Sequence, residues 1–186
     1  MINRAVFLDR DGVINKAEVR LGKPYPPASL RDFVYLPGVI DGVRRLRNAG
    51  YLVIVATNQP DVAKGIQDRR IVDAMHEKLA EDLLCDDIKV CFHVDADGCN
   101  CRKPKPGMIL EAAAKWHIDL KSSFMVGDRW RDIEAGNLAG CTTFFIDYGY
   151  QEKKPDKPSY IVQSLEDAVD HILKNFNIEG YRLCKH

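Results

Sequence analysis

With 186 residues, 46% hydrophobic and 29% charged, the chain has the size and composition of one soluble globular domain with a full core. Its 27 basic and 27 acidic residues cancel, so charge gives no basis for sequence-independent binding to nucleic acid or to an anionic membrane. No apolar stretch approaches a membrane span, and the opening MINRAVFLD is too brief for an export signal, so a cytoplasmic protein with reduced thiols is expected.

Residues 4–8 read as a continuous buried strand that stops at Asp9, with Asp11 two positions later and Gly12 beside it. Segment 38–50 puts Val39, Ile40, Val43 and Leu46 at helical spacing and ends at Gly50, a C-terminal cap. YLVIVATN, 51–58, is a second strand, ending in Thr57 and Asn58. Segment 68–84 is an amphipathic helix with Asp68 as N-cap and Ile71, Met75, Leu79 and Leu83 on one face. A third strand, 88–94, leads into a loop rich in Gly, Cys and Pro that runs to Pro106, and a helix follows through MILEAAAKWHI. SFMVGD, 123–128, is a fourth strand, RDIEAGNLAG a short helix and TTFFIDYG a fifth strand. A short strand SYIV precedes the last helix, SLEDAVDHILKNF, which Ser164 and Asp167 open as a capping box. Residues 1–176 form one domain and 177–186 a tail without assignment; Asn15–Leu36 is expected as loop.

Buried strands alternating with helices predict an α/β protein, its mainly parallel sheet covered by helices on both faces. Ligands then bind beyond the carboxyl ends of the strands. Asp9, Asp11, Thr57, Asn58 and Asp128 all fall at such ends, and Lys103 lies on the loop after the third.

Asp9, Asp11 and Asp128 make a hard-oxygen cluster suited to Mg²⁺. A carboxylate there could attack phosphorus, and a second acid could protonate the leaving oxygen and later activate water. Thr57 would hold phosphoryl oxygens and Lys103 would offset charge. Cys91, His93, Cys99 and Cys101 form a Cys₃His set for a tetrahedral, structural Zn²⁺. Cys85, Cys141 and Cys184 have no such neighbours, and His76, His117 and His171 sit on helices as surface or packing residues.

The motifs DRDGV (9–13), TNQ (57–59), CRKPKPG (101–107) and GDRWRD (127–132) together resemble the haloacid-dehalogenase superfamily of phosphatases over roughly residues 4–150. The resemblance implies a Rossmann-like haloacid-dehalogenase fold. In it Asp9 is the nucleophile, Asp11 the acid/base, Thr57 a phosphate ligand and Lys103 the lysine of the third motif. Mg²⁺ would be held by Asp9, the Asp11 backbone carbonyl and Asp128, with Asp132 in support. The zinc loop, 91–101, is similar to that of the heptose-bisphosphate and histidinol-phosphate phosphatase branch, which places Arg102 at the substrate.

The implied substrate is a small phosphorylated sugar, foremost D-glycero-D-manno-heptose 1,7-bisphosphate at its 7-phosphate; histidinol phosphate is the alternative. A phospho-accepting regulatory domain is a further alternative, against which the separate acid at Asp11 argues. No inserted domain fits between Asn58 and Cys101, so a cap domain should be absent and loops should rim the site. GKPYPP (22–27) is a candidate rim, Asn15 and Asn58 are candidate substrate contacts, and a monomer is expected. The chain departs from the branch at Pro60-Asp61, where Ser-Gly is common, and at Arg129-Trp130, where lysine is common.

Overall fold

Ala5, Val6, Phe7 and Leu8 have no exposed surface, because strand β1 (Arg4–Leu8) runs through the middle of a sheet covered on both sides. The computed structural model describes residues 2–176. The tail 177–186, with Cys184, lies outside the described residues. β1 pairs in parallel with β4 (Tyr51–Asn58) and β6 (Phe124–Gly127). β5 (Asp87–Cys91) lies outside β4, while β7 (Thr142–Ile146) and β8 (Tyr160–Val162) extend the other side. The order is β5-β4-β1-β6-β7-β8, and every pairing is parallel.

Successive side chains of a strand point to opposite faces, and the core divides accordingly. Val6, Leu8, Val53 and Val55 pack against Val43 and Leu46 of α1 (Val39–Asn48), Met75 and Leu79 of α3 (Arg69–Leu83), and Val169 and Ile172 of α6 (Leu165–Phe176). Ala5, Phe7, Ile54 and Met125 pack against Ile109 and Ala112 of α4 (Gly107–Trp116) and Ala135 of α5 (Trp130–Ala139). Each fully buried aliphatic or aromatic side chain contributes about 1.5–3 kcal/mol. This two-sided burial holds the carboxyl ends of the strands at one edge.

Asp68 caps as expected, accepting from the Arg70 amide at 2.8 Å. At the last helix half of the expected capping box forms: the Ser164 hydroxyl accepts from the Asp167 amide at 3.1 Å, but the Asp167 carboxylate accepts from the Gln163 amide instead of that of Ser164. No helix among the described residues is long and apolar enough to cross a membrane.

Two elements escape the sequence reading. Residues 15–36 are not all loop: β2 (Glu18–Arg20) and β3 (Lys23–Tyr25) form an antiparallel hairpin. Its turn residues Leu21 and Gly22 both have positive φ, 50° and 72°. The ribbon is largely solvent-exposed and lacks the apolar alternation that betrays a strand. A short helix, α2 (Pro60–Ala63), starts directly after TNQ with proline in its first turn. The third strand also ends at Cys91 rather than at residue 94.

Candidate active site

Asp9 follows the last residue of β1, only 7% exposed, its amide donating to the Val126 carbonyl at 3.0 Å. Its Oδ1 lies 2.8 Å from Nζ of Lys103, which is itself buried. The same ammonium meets Asp132 Oδ1 at 2.5 Å and the Ala56 carbonyl at 2.6 Å. All three ammonium donors are therefore used. Burial, then the charge of Asp132, pushes the Asp9 carboxyl up to about 6 against the opposing pull of Lys103. For Lys103, burial alone would lower the pKa; Asp132 and Asp9 outweigh it and hold the ammonium above its ordinary value.

Asp128, after β6, is 1% exposed. Its Oδ2 accepts from the Tyr150 hydroxyl at 2.9 Å, while Oδ1 is buried with no partner among the described residues. Burial, then Asp9 and Asp132, raises its carboxyl well above the usual range. Asp9, Asp128 and Asp132 each offer an oxygen, all within 4.8 Å of one another. Crowded carboxylates with one unpartnered buried oxygen fit a hard divalent cation. The carboxylate that joins this cluster is that of Asp132, not Asp11.

Asp11 is held from another side. Arg10, with no exposed surface, donates to both its oxygens through Nη2, at 3.0 and 2.9 Å, and from Nε at 3.1 Å. Asn15 and Gln59 add donors at 3.0 and 2.8 Å. Behind Arg10, its Nη1 lies 2.9 Å from His76 Nε2. A guanidinium only donates, so this nitrogen of His76 accepts. Burial, then the Arg10 charge, pushes His76 down to about 4.

Asn15, a candidate substrate contact in the sequence, is fully buried and serves to hold Asp11. Thr57 is 1% exposed, its hydroxyl accepting from Gln59 at 2.9 Å. Asn58 pairs twice with the Lys103 backbone, donating at 3.0 Å and accepting at 3.1 Å, and so clamps the third-motif loop to β4.

Asp9, Asp11, Asn58, Lys103 and Asp132 line a cavity of about 280 Å³, whereas Thr57 and Asp128 lie behind its wall. Its rim takes Lys23 to Pro26 from the hairpin, Pro60, Asp61 and Lys64 from α2, and Arg102, Arg129 and Arg131. The extra acid Asp61 is matched by Lys64 at 3.0 Å. Arg129 makes a two-point pair with Glu152, at 2.9 and 2.5 Å.

Cys91, His93, Cys99 and Cys101 converge beside this cavity. Their sulfurs are 3.3, 3.4 and 3.8 Å apart, and His93 Nδ1 lies 3.6 Å from Cys91 and 3.3 Å from Cys101. A tetrahedral Zn²⁺ at about 2.3 Å from each sulfur would space them about 3.8 Å apart, so the set fits zinc. Lys105 braces the loop by donating to the Gly98 and Cys99 carbonyls, each at 2.8 Å. Asp95, within the loop, accepts from Arg102 at 2.7 Å and from Arg131 at 3.1 Å. The zinc loop thus holds two cations of the cavity wall.

Arg10, Gln59, Asp95, Arg131 and Tyr150 were not singled out by the sequence, and His76, expected as a surface or packing residue, is buried against Arg10. Arg10, Gln59 and Arg131 stand inside the quoted motifs, where buried polar letters between catalytic ones give some signal. Nothing in their own neighbourhoods marks His76 or Tyr150.

A family model described as HAD-hydrolase-like matches residues 100–168. The D-glycero-beta-D-manno-heptose-1,7-bisphosphate 7-phosphatase of Bordetella bronchiseptica is 36% identical over 155 residues, covering 81% of this chain and 84% of that protein. A D-glycero-alpha-D-manno-heptose-1,7-bisphosphate 7-phosphatase of Photorhabdus laumondii is 37% identical over 178 residues, covering 87% and 92%. Among solved structures, D,D-heptose 1,7-bisphosphate phosphatase from B. bronchiseptica, complexed with magnesium and phosphate, superposes with a TM-score of 0.76 at 30% identity. That match covers 92% of this chain and 98% of the other. With the acid cluster, the buried lysine and the Cys₃His loop in one fold, the chain belongs to the haloacid-dehalogenase-like hydrolases, alongside these heptose bisphosphate phosphatases.

Proposed function

We propose that the protein is a magnesium-dependent phosphomonoester hydrolase that removes the 7-phosphate of a D-glycero-D-manno-heptose 1,7-bisphosphate through an aspartyl phosphate on Asp9. The observation that carries this reading is the Asp9 carboxylate in the cavity wall, paired with a buried Lys103 and crowded by Asp128 and Asp132. Relatives named for both anomers of this substrate support the choice of sugar.

An Asp9 oxygen attacks phosphorus as the bond to the sugar oxygen breaks, and Asp11 gives that oxygen a proton. Asp11 then takes a proton from water, whose oxygen attacks phosphorus and releases Asp9 and inorganic phosphate. Lys103 offsets the charge on the transferred group, and Thr57, at the end of the neighbouring strand, holds phosphoryl oxygens. Asp9, Asp128 and the Asp11 backbone carbonyl would hold Mg²⁺, which when bound supplies positive charge at the phosphoryl oxygens. The arginines at the rim, two of them fixed by the zinc loop, suit the second phosphate of a bisphosphate.

The test is phosphate release from both heptose bisphosphate anomers, the corresponding monophosphates and histidinol phosphate, by wild type and Asp9→Asn. The bisphosphates should be turned over fastest and Asp9→Asn should lose multiple turnover. Preference for histidinol phosphate would overturn the substrate; normal turnover by Asp9→Asn would overturn the nucleophile.

A further inference from the structure

The two oxygens of Asp128 are not equivalent. Oδ2 accepts from the Tyr150 hydroxyl at 2.9 Å, and Gly12 backs it so closely that a Cβ there would fall 1.9 Å away. Oδ1 is buried and has no hydrogen-bond partner among the described residues. Tyr150 is not in any of the four motifs; it sits on the segment that follows β7.

That segment is braced on both sides of Tyr150. The Gln151 amide donates to the Gly22 carbonyl of the hairpin at 2.8 Å, and Glu152 takes the two bonds from Arg129. The Tyr148 ring lies 5.6 Å from the Tyr150 ring. The hydroxyl therefore reaches Asp128 from a fixed position.

We propose that Tyr150 is a positioning residue that makes Asp128 a one-oxygen metal ligand and thereby biases the site towards Mg²⁺ over Ca²⁺. Mg²⁺ keeps six ligands in a strict octahedron, whereas Ca²⁺ takes six to eight oxygens and readily accepts both from one carboxylate. A carboxylate with one oxygen committed to a phenol serves the first cation and handicaps the second. This inference rests on the metal-dependent reading above.

The test is calorimetric titration of the zinc-loaded protein with Mg²⁺ and with Ca²⁺, comparing wild type with Tyr150→Phe. Removing the hydroxyl should raise Ca²⁺ affinity relative to Mg²⁺ by roughly fivefold, the factor carried by one hydrogen bond. Ca²⁺ should also become a stronger competitor of Mg²⁺ in phosphate release. An unchanged ratio, or an equal loss of both metals, would overturn the proposal and leave Tyr150 a brace of its loop. A wild type that binds no Mg²⁺ would instead overturn the metal-dependent reading beneath it.

Discussion

The ammonium of Lys103 lies 2.8 Å from the Asp9 carboxylate, with both groups withdrawn from solvent. The proposed nucleophile and its counter-charge form one buried unit. A buried pair of this kind is fragile to the loss of one member, because the survivor keeps its desolvation cost without its partner.

Replacing Lys103 with Met leaves Asp9 and Asp132 facing each other without the cation between them. Stability should fall by about 3–5 kcal/mol, read by urea denaturation. Turnover should fall at least about a hundredfold, as for loss of one preorganised charge-stabilising donor.

Asp95, in the loop that carries the Cys₃His set, pairs with Arg102 and Arg131 of the cavity wall. Cys101→Ser should lose zinc by metal analysis and raise KM for the bisphosphate. Asp95→Asn should retain zinc and still raise KM several-fold, because its weaker acceptor loosens both arginines. An unchanged KM in Asp95→Asn would separate the zinc loop from substrate binding.

Gly12 has φ of 88° and no room for a side chain: a Cβ would lie 1.9 Å from Asp128 Oδ2. Gly12→Ala should displace Asp128, weakening Mg²⁺ activation more than tenfold. Backbone strain of about 1–2 kcal/mol should appear as a lower melting temperature. Full activity at low Mg²⁺ would show that the loop accommodates the methyl group.

His76 couples stability to pH. Its pKa falls from 6.5 in the unfolded chain to about 4 in the folded one, burial being the leading cause. As pH drops below 6.5 the unfolded chain takes up a proton that the folded chain refuses. Its contribution is thus full above that value, is lost as pH falls towards about 4, and is flat below. The loss is about 3 kcal/mol across the window. His76→Gln, which keeps an acceptor for Arg10, should remove this part of the slope in denaturation curves taken between pH 4 and 7. The other acid-sensitive groups contribute to both proteins, so the difference isolates His76.

The central strands were legible because burial on both faces writes itself as unbroken apolar runs, as in residues 5–8 and 51–56. Asp9 and Asp128 were legible because each directly follows a strand within a dense motif, and Lys103 because it stands in the dense motif CRKPKPG on the loop after β5. Arg10 and His76 were not, since their partnership spans 66 positions and neither residue type signals burial. Tyr150 reaches Asp128 through a loop whose path depends on the hairpin, which the sequence did not reveal. Asn15 shows the complementary error: a polar residue near an active-site motif faces the interior because Asp11 needs a donor there.

Strand β5 is five residues long and forms one edge of the six-stranded sheet. Such edges invite pairing with other chains. Here the last residue of the strand, Cys91, also belongs to the Cys₃His set that fits zinc, and that set begins where the strand stops. Zinc bound there would fix the end of the sheet as well as the wall of the cavity. Preparations stripped of zinc should self-associate along that edge, so solubility and zinc content should fall together.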